Sequence, residues 1–373
     1  MLSAYLAGVI PQMIERGRVL TASIPRDLPR DYDALRATCK QHINEAIQSL
    51  KFLDHHAYDP ERLREFKRIV ANMDLIETVG IAALNRASDA DHKLNVLIDK
   101  VAREISYPCL TPIVTTLSQN YFCIYPVFNL MCIPLIEGKF LLHLPDLYHE
   151  LAHPFFTEKN DPVLELFQAV YLDAVMHVLS HFEEEKLKAK ERRGPNFYDI
   201  LHAWQNSWIK YWLEEFFCDL YGVYTLGPAF VWSHLHLAIK RGTDPFELSF
   251  MRATSHPCDH ARMIAMLHAL KLSGFYDSAE RIQLQWGEFL EDISATEEPE
   301  YHRCYPNHLI NTVADYAWDA VKDIKARIAT PVVNDPVHTL LNQAWDQFWK
   351  NPSGYVEWEK REVERLLTKC NHQ

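Results

Sequence analysis

The stretch His149-Glu150-Leu151-Ala152-His153 is the starting point, because it places two histidines four residues apart with a glutamate beside the first. On a helix, residues i and i+4 lie on one face, so His149 and His153 can present two imidazole nitrogens to one ion. In a chain with 19 histidines among 373 residues, this pattern is expected about 0.07 times by chance. The pattern therefore predicts a zinc site, which needs a third protein ligand and leaves the fourth position to water.

A third ligand is offered by the stretch 212–222, which is free of proline and rich in large apolar residues, as in a buried helix. Glu215 and Asp219 are again four residues apart and can face the same point. We expect Glu215 to bind zinc and Asp219 to accept a hydrogen bond from a ligating histidine. A helix with a solvated acidic stripe is the alternative, and Glu158, Glu165 and Glu183 are the alternative third ligands.

A third motif lies further along the chain, where Ser255-His256-Pro257 is followed by Arg262. Proline is well tolerated in the first turn of a helix, so His256 is expected just outside a helix and Arg262 on its second turn. An imidazole at such a point can donate a hydrogen bond to a developing oxyanion. A guanidinium can hold a carboxylate in place through a bidentate contact.

Taken in this order, the three motifs resemble the HtpX/CAAX-prenyl-endopeptidase group of gluzincin metallopeptidases, over roughly residues 120–275. The resemblance implies one zinc ion per chain and a set of residue roles. Those roles are zinc ligation by His149, His153 and Glu215, general base catalysis by Glu150, a contact of His256 with substrate or transition state, and support of the ligands by Asp219 and Arg262.

The leading hypothesis is a zinc-dependent endopeptidase in which Glu150 removes a proton from water and returns it to the departing amine. Two alternatives stay open. The same site serves a zinc hydrolase acting on a non-peptide amide or ester, and a helical interaction protein could retain a structural or vestigial zinc. Glu150 speaks against the last one, since a structural site has no use for a base.

Composition favours a globular enzyme. Hydrophobic residues make up 48% and charged residues 24% of the chain, which is typical of folded proteins. The formal net charge of −12 disfavours nucleic acid and anionic membranes as partners. Eight cysteines without a C-x-x-C pair indicate neither a zinc knuckle nor a disulfide framework. We therefore expect a cytoplasmic protein with a peptide or protein substrate and no membrane span.

The predicted fold class is mainly α (α+β), with a small β-sheet ahead of the metal helix. We expect an N-terminal helical region over 1–106, a metallopeptidase core over 107–275 and a C-terminal helical region over 276–373. The apolar stretch 121–136 predicts one or two strands, and its part 128–135 either lies along a substrate as an added strand or is simply a core strand. Pro154 predicts that the metal helix ends or kinks directly after His153.

Overall fold

The computed structural model describes residues 2–53, 59–118, 121–157, 161–191, 196–250 and 252–368. Contacts divide the chain into two compact units. Among the described residues, the first unit consists of 2–98 and 111–136, and the second of 99–110 and 137–368. The sequence was divided into three consecutive regions. In the structure, the predicted C-terminal region belongs to the same compact unit as the segment that carries the candidate metal ligands.

The first unit is a helical layer with a small sheet. A π-helical turn, Ile76–Ile81, connects two of its helices, and Gly80 within that turn lies so close to Cys39 that a Cβ atom would meet the sulfur at 2.6 Å. The elements in chain order are α1 (Leu2–Ser23), α2 (Asp33–Leu53), α3 (Asp59–Leu75), α4 (Ala82–Arg86), α5 (Asp89–Glu104, whose last turns belong to the second unit), β1 (Ile113–Ser118), β2 (Cys123–Tyr125) and β3 (Leu130–Pro134).

The sheet has the order β1-β3-β2, with β1 parallel and β2 antiparallel to β3. Strand β3 is therefore central, and residues Leu130, Met131 and Cys132 have partners on both sides. A strand that is paired along both edges has no free backbone groups to bind another strand. The idea that 128–135 pairs with a substrate is therefore wrong for β3, and the alternative of a core strand is confirmed, since all five residues of β3 are buried.

The outer edge of β1 is covered by side chains of α5. Asn95 donates to the carbonyl oxygen of Val114 (3.1 Å) and accepts from its amide (2.7 Å). The carboxylate of Asp91, which is fully buried, accepts from the amide and the hydroxyl of Thr116 at 3.0 and 2.9 Å. These contacts satisfy the edge groups of a strand that would otherwise be open to pairing.

The second unit contains helices and connecting loops but no β-strand in the part of it that the structure describes. A π-helical turn, Trp208–Trp212, joins α9 to α10 without a break in the helical path. The elements are α6 (Asp146–Glu150), α7 (Pro154–Thr157), α8 (Pro162–Glu191), α9 (Asn196–Ser207), α10 (Leu213–Leu226), α11 (Pro228–Arg241), α12 (Asp259–Leu272), α13 (Tyr276–Asp292), α14 (Tyr301–Cys304), α15 (Asn307–Asp323), α16 (Pro336–Lys350) and α17 (Tyr355–Thr368). The prediction of a mainly α fold with a small sheet is confirmed.

Helix α10 forms the centre of the second unit and is buried along nearly its whole length. Two glycines allow the close packing of α11 against α10 and the turn between the two helices. A Cβ atom on Gly222 would lie 2.6 Å from the ring of Phe230, so only glycine lets α11 pack this closely. Gly227 has a φ of +80° and turns the chain from α10 into α11 within one residue.

One helix has the length and hydropathy needed to cross a membrane. It covers Pro162–Lys190 in α8, and 22% of its most apolar window is buried. Its exposed side chains include Leu166, Leu172 and Met176. Nothing in the sequence motifs singled out this helix, and no membrane span was expected.

Candidate metal centre

The HExxH motif lies at the end of α6 and in the turn that follows it. The helix ends at Glu150, and the amide of Ala152 donates to the carbonyl oxygen of His149 at 3.0 Å, which is a tighter, three-residue turn. Helix α7 then begins at Pro154. The metal helix therefore ends three residues earlier than the predicted break after His153, which lies in the turn, and the two histidine rings meet edge-on with centroids 5.1 Å apart.

At this site, hydrogen bonds join three residues from distant parts of the chain, His149, Asp219 and Arg262. The Nδ1 atom of His149 donates to Oδ1 of Asp219 at 2.9 Å. Arg262 on α12 donates to both oxygens of the same carboxylate, from Nε at 2.6 Å and from Nη2 at 2.7 Å. Asp219 is completely buried and the Arg262 side chain is 6% exposed. The contacts that the sequence analysis expected of Asp219 and Arg262 are therefore present, and His149 is left with Nε2 as its free ligand atom.

Glu215 faces that free nitrogen. Its Oε2 atom lies 3.4 Å from Nε2 of His149 and has no hydrogen-bond partner although it is buried. Two ligands with bonds of 2.0–2.1 Å in tetrahedral geometry lie about 3.3 Å from each other. In the metal-free protein the protonated imidazole of His149 compensates this carboxylate, and a cation bound between the two would take the place of that proton.

The charges at this site are strongly coupled. Burial lowers the pKa of His149, but the Asp219 and Glu215 carboxylates outweigh it and raise the pKa to about 10. Burial raises the pKa of Glu215, but His149 outweighs it and lowers the pKa to about 2. The buried Arg262 likewise holds the pKa of Asp219 far below its usual range, against the effect of burial. Without metal, the proton on His149 thus stands where a cation would bind, and metal binding must displace it.

His153 has two neighbours on α10. Its Nδ1 atom lies 3.0 Å from Oε1 of Glu214 and 3.6 Å from the sulfur of Cys218. The Cys218 side chain is fully buried, and burial raises the pKa of its thiol well above the usual value. In the part of the chain that the structure describes, one group of metal-binding side chains has ligand atoms within 4.8 Å of one another, and it consists of His149, His153 and Cys218.

This group supports the prediction that a metal ion binds here, whereas the identity of that metal as zinc stays a prediction. A His-His-Cys cluster of this kind can hold a metal ion, and imidazole with thiolate suits zinc among others. Glu215 as the third ligand stays a prediction. Sequence reasoning missed both Cys218 and Glu214. The available signal for Cys218 was its spacing, three residues after Glu215 on the same helix, which places both on one face.

Glu150 and His256 occupy different surroundings. Glu150 is buried, with 8% of its surface exposed. Its pKa is raised by burial, an effect that His149 partly opposes. His256 lies just before α12 with its side chain 54% exposed, and its Nε2 atom is 3.6 Å from Oε2 of Glu215. The hydroxyl of Ser255 lies 2.8 Å from its Nδ1 atom. The structure thus brings His256 to the exposed side of the same carboxylate.

The other residues weighed as alternative ligands do not join the cluster in the structure. Glu165 and Glu183 are exposed on α8, and Glu183 pairs with Lys186 at 3.0 Å. Glu158 lies outside the described residues.

A comparison of the chain with protein-family models, with curated proteins and with solved structures finds no match in any of the three. The likeness to the gluzincin group therefore rests on the three motifs themselves, and membership of a family is not shown.

Proposed function

We propose that this protein is a zinc-dependent endopeptidase of the gluzincin kind. The observation that carries the proposal is the contact of Arg262 with Asp219 and of Asp219 with His149, next to Oε2 of Glu215, which faces Nε2 of His149 at 3.4 Å. These residues come from three separate segments, and the hydrogen bond from His149 to Asp219 is the kind of contact that orients a metal-binding histidine. His149, His153 and Glu215 would hold the ion.

The ion would supply the Lewis acidity that makes water nucleophilic near neutral pH. Glu150 would take the proton from the attacking water on its carboxylate and deliver it to the nitrogen of the leaving amine. Its burial favours this role, since a raised pKa brings a carboxylate closer to the pH at which it must accept and release a proton. His256 would donate from Nε2 to the oxyanion that forms on the carbonyl.

The test is metal content together with hydrolysis of casein by the purified full chain, with Glu150→Gln beside wild type. We expect about one zinc per chain in both proteins, and a loss of hydrolysis by at least about 100-fold in the variant, since general acid–base catalysis contributes that much. Glu165→Gln on the exposed face of α8 is the matched control and should retain full activity.

If zinc-loaded wild type leaves casein intact but hydrolyses small esters or amides, and Glu150→Gln does not, the protein is a non-peptide hydrolase and not an endopeptidase. Absence of zinc after a metal-replete preparation would refute both. A specific observation favours a third candidate, a structural zinc site, because Cys218 provides the further ligand that such sites contain.

A further inference from the structure

Two cysteines face each other across the small sheet of the first unit. In the antiparallel pairing of β2 with β3, Cys123 is the direct partner of Cys132. Directly opposed residues of antiparallel strands project their side chains from the same face of the sheet. Both side chains are thiols in the structure, and both belong to the first unit, whereas the candidate metal ligands belong to the second.

The backbone pattern fixes the spacing of the two cysteines. On one side of β3, the amide of Ile113 in β1 donates to the carbonyl oxygen of Asn129 at 2.9 Å. Backbone groups alternate between the two edges of a strand, so Cys132, three residues further on, directs its groups to β2. Cys132 and Cys123 therefore exchange two backbone hydrogen bonds, which sets their Cα atoms about 5.5 Å apart.

This spacing suits a disulfide that can be reduced again. Disulfides join Cα atoms about 4.4–6.8 Å apart, most often about 5.5–6 Å. The β-carbons of opposed residues are about 4.5–5.5 Å apart, against about 3.5–4.5 Å in a disulfide, so the bond forms after a local shift of about 1 Å. A bond that departs from the preferred geometry is more easily reduced, and such bonds serve as labile rather than structural links.

The two thiols differ in their access to solvent. Cys132 is 2% exposed and belongs to the apolar core of the first unit. Cys123 is half-buried, in a strand whose three residues are all partly exposed. Burial, and then the charges of both cysteines, raise the pKa of Tyr125, which places the two sulfurs near the same hydroxyl. A small molecule in solution can therefore reach Cys123, whereas Cys132 reacts through Cys123.

We propose that Cys123 and Cys132 form a reversible oxidation site that reacts with a small disulfide of the glutathione type. The inference goes beyond the proposed function and does not depend on the metal site. The thiolate of Cys123 attacks one sulfur of the oxidant, forms a mixed disulfide and releases one small thiol. The sulfur of Cys132 then attacks that of Cys123, forms the protein disulfide and releases the second small thiol. Two protein thiols are oxidised, the oxidant is reduced to two thiols, and these take up the two protons.

Oxidised glutathione is the probe, applied to the folded full chain at about pH 8, where a cysteine is partly ionised. After alkylation, cleavage by trypsin gives a fragment of residues 104–139 that contains three cysteines, the third being Cys109. Cys109 provides the matched control, since it is in the same fragment and is half-buried but belongs to the second unit. In wild type and in Cys109→Ala, we expect the fragment to lose two hydrogen atoms through a bond between Cys123 and Cys132. Chymotrypsin, which cuts between the two, assigns the bond, and an excess of reduced glutathione should restore both thiols.

Single variants test the order of the two steps. Cys132→Ala should stop at the mixed disulfide and keep one glutathione on Cys123. Cys123→Ala should leave Cys132 unmodified, because its burial excludes the oxidant. The deciding result comes from wild type, so it stands even if the emptied core position in Cys132→Ala prevents folding.

Three results in wild type would overturn the proposal. The fragment could stay unmodified, it could keep glutathione on Cys123 without forming the bond, or the bond could join Cys109 or Cys39 instead. A bond between Cys123 and Cys132 that excess reduced glutathione does not open would likewise refute reversible oxidation. None of these results bears on casein hydrolysis or metal content, so this proposal and the proposed function fail separately.

Discussion

The ion pair between Arg262 and Asp219 gives the sharpest prediction about stability. Replacing Arg262 with methionine removes two short hydrogen bonds, at 2.6 and 2.7 Å, and leaves a completely buried carboxylate. Loss of one partner from a buried pair costs about 3–5 kcal/mol. His149 remains next to the carboxylate and carries a proton at neutral pH, so the charge is still partly compensated. We therefore expect the lower end of the range, about 3 kcal/mol.

Tryptophan fluorescence can follow this change selectively. All nine tryptophans lie between residues 204 and 358, inside the second unit, so thermal unfolding detected by their emission reports on the unit that contains the pair. For a unit of this size, a loss of about 3 kcal/mol lowers Tm by roughly 6–12 °C. The measurement is made on metal-free protein at pH 7, so that metal binding does not add to the stability.

Arg365→Met serves as the control, because Arg365 pairs with Glu362 on α17 while its side chain is 67% exposed. An exposed pair of this kind contributes less than about 1 kcal/mol. In a double-mutant cycle, adding Asp219→Asn to Arg262→Met should recover part of the lost stability, since the variant no longer buries an unpaired charge. If Arg262→Met lowers Tm no more than Arg365→Met does, the pair is solvated and the reasoning fails.

Two further predictions concern the second unit. Burial and the charge of Arg262 lower the pKa of His234 to about 4, whereas in the unfolded chain it is about 6.5. Between these two values the unfolded chain binds a proton that the folded protein does not, so the free energy of unfolding decreases as pH falls from about 6.5 to about 4. Protonation of His234 should therefore lower the free energy of unfolding by about 2 kcal/mol between pH 7 and pH 5. In His234→Gln, the decrease measured by urea unfolding should be smaller by that amount. The same decrease in both proteins would contradict a lowered pKa of His234. Gly222→Ala should destabilise the protein by about 1–3 kcal/mol, because its Cβ atom would meet the ring of Phe230 at 2.6 Å. Gly287→Ala, on a helix with open space around it, should instead stabilise by about 0.5–1 kcal/mol, and a Gly222→Ala protein that gains stability in the same way would refute the packing argument.

Local sequence rules predicted the parts of the site that depend on helix geometry. Pro154 predicted an interruption of the metal helix, although that helix ends three residues earlier, at Glu150, and Pro154 begins α7. The joint approach of Glu215 and Asp219 to His149 follows from their spacing of four residues. Both inferences need only the local chain and the assumption that the motifs meet.

The features that were missed depend on long-range packing. Whether Cys218 faces the histidines depends on the rotation of α10, which is set by its packing in the second unit and not by its own sequence. Strand β1 lies before the stretch recognised as strand, and only its parallel pairing with β3 makes β3 central. Pairing order between strands is a non-local property, so the sequence alone could not show that β3 has no free edge.

The π-helical turn at Trp208–Trp212 has a consequence for how relatives of this protein must be compared. A π turn amounts to one residue inserted into a helix. Deleting that residue would return the turn to α-helical geometry and leave the following helix facing the same way, so the glutamate would still face Nε2 of His149 but one position earlier in the chain. A homologue without the insertion must carry its acidic pair one position earlier in the numbering, and an alignment that forbids gaps inside helices would pair the wrong residues.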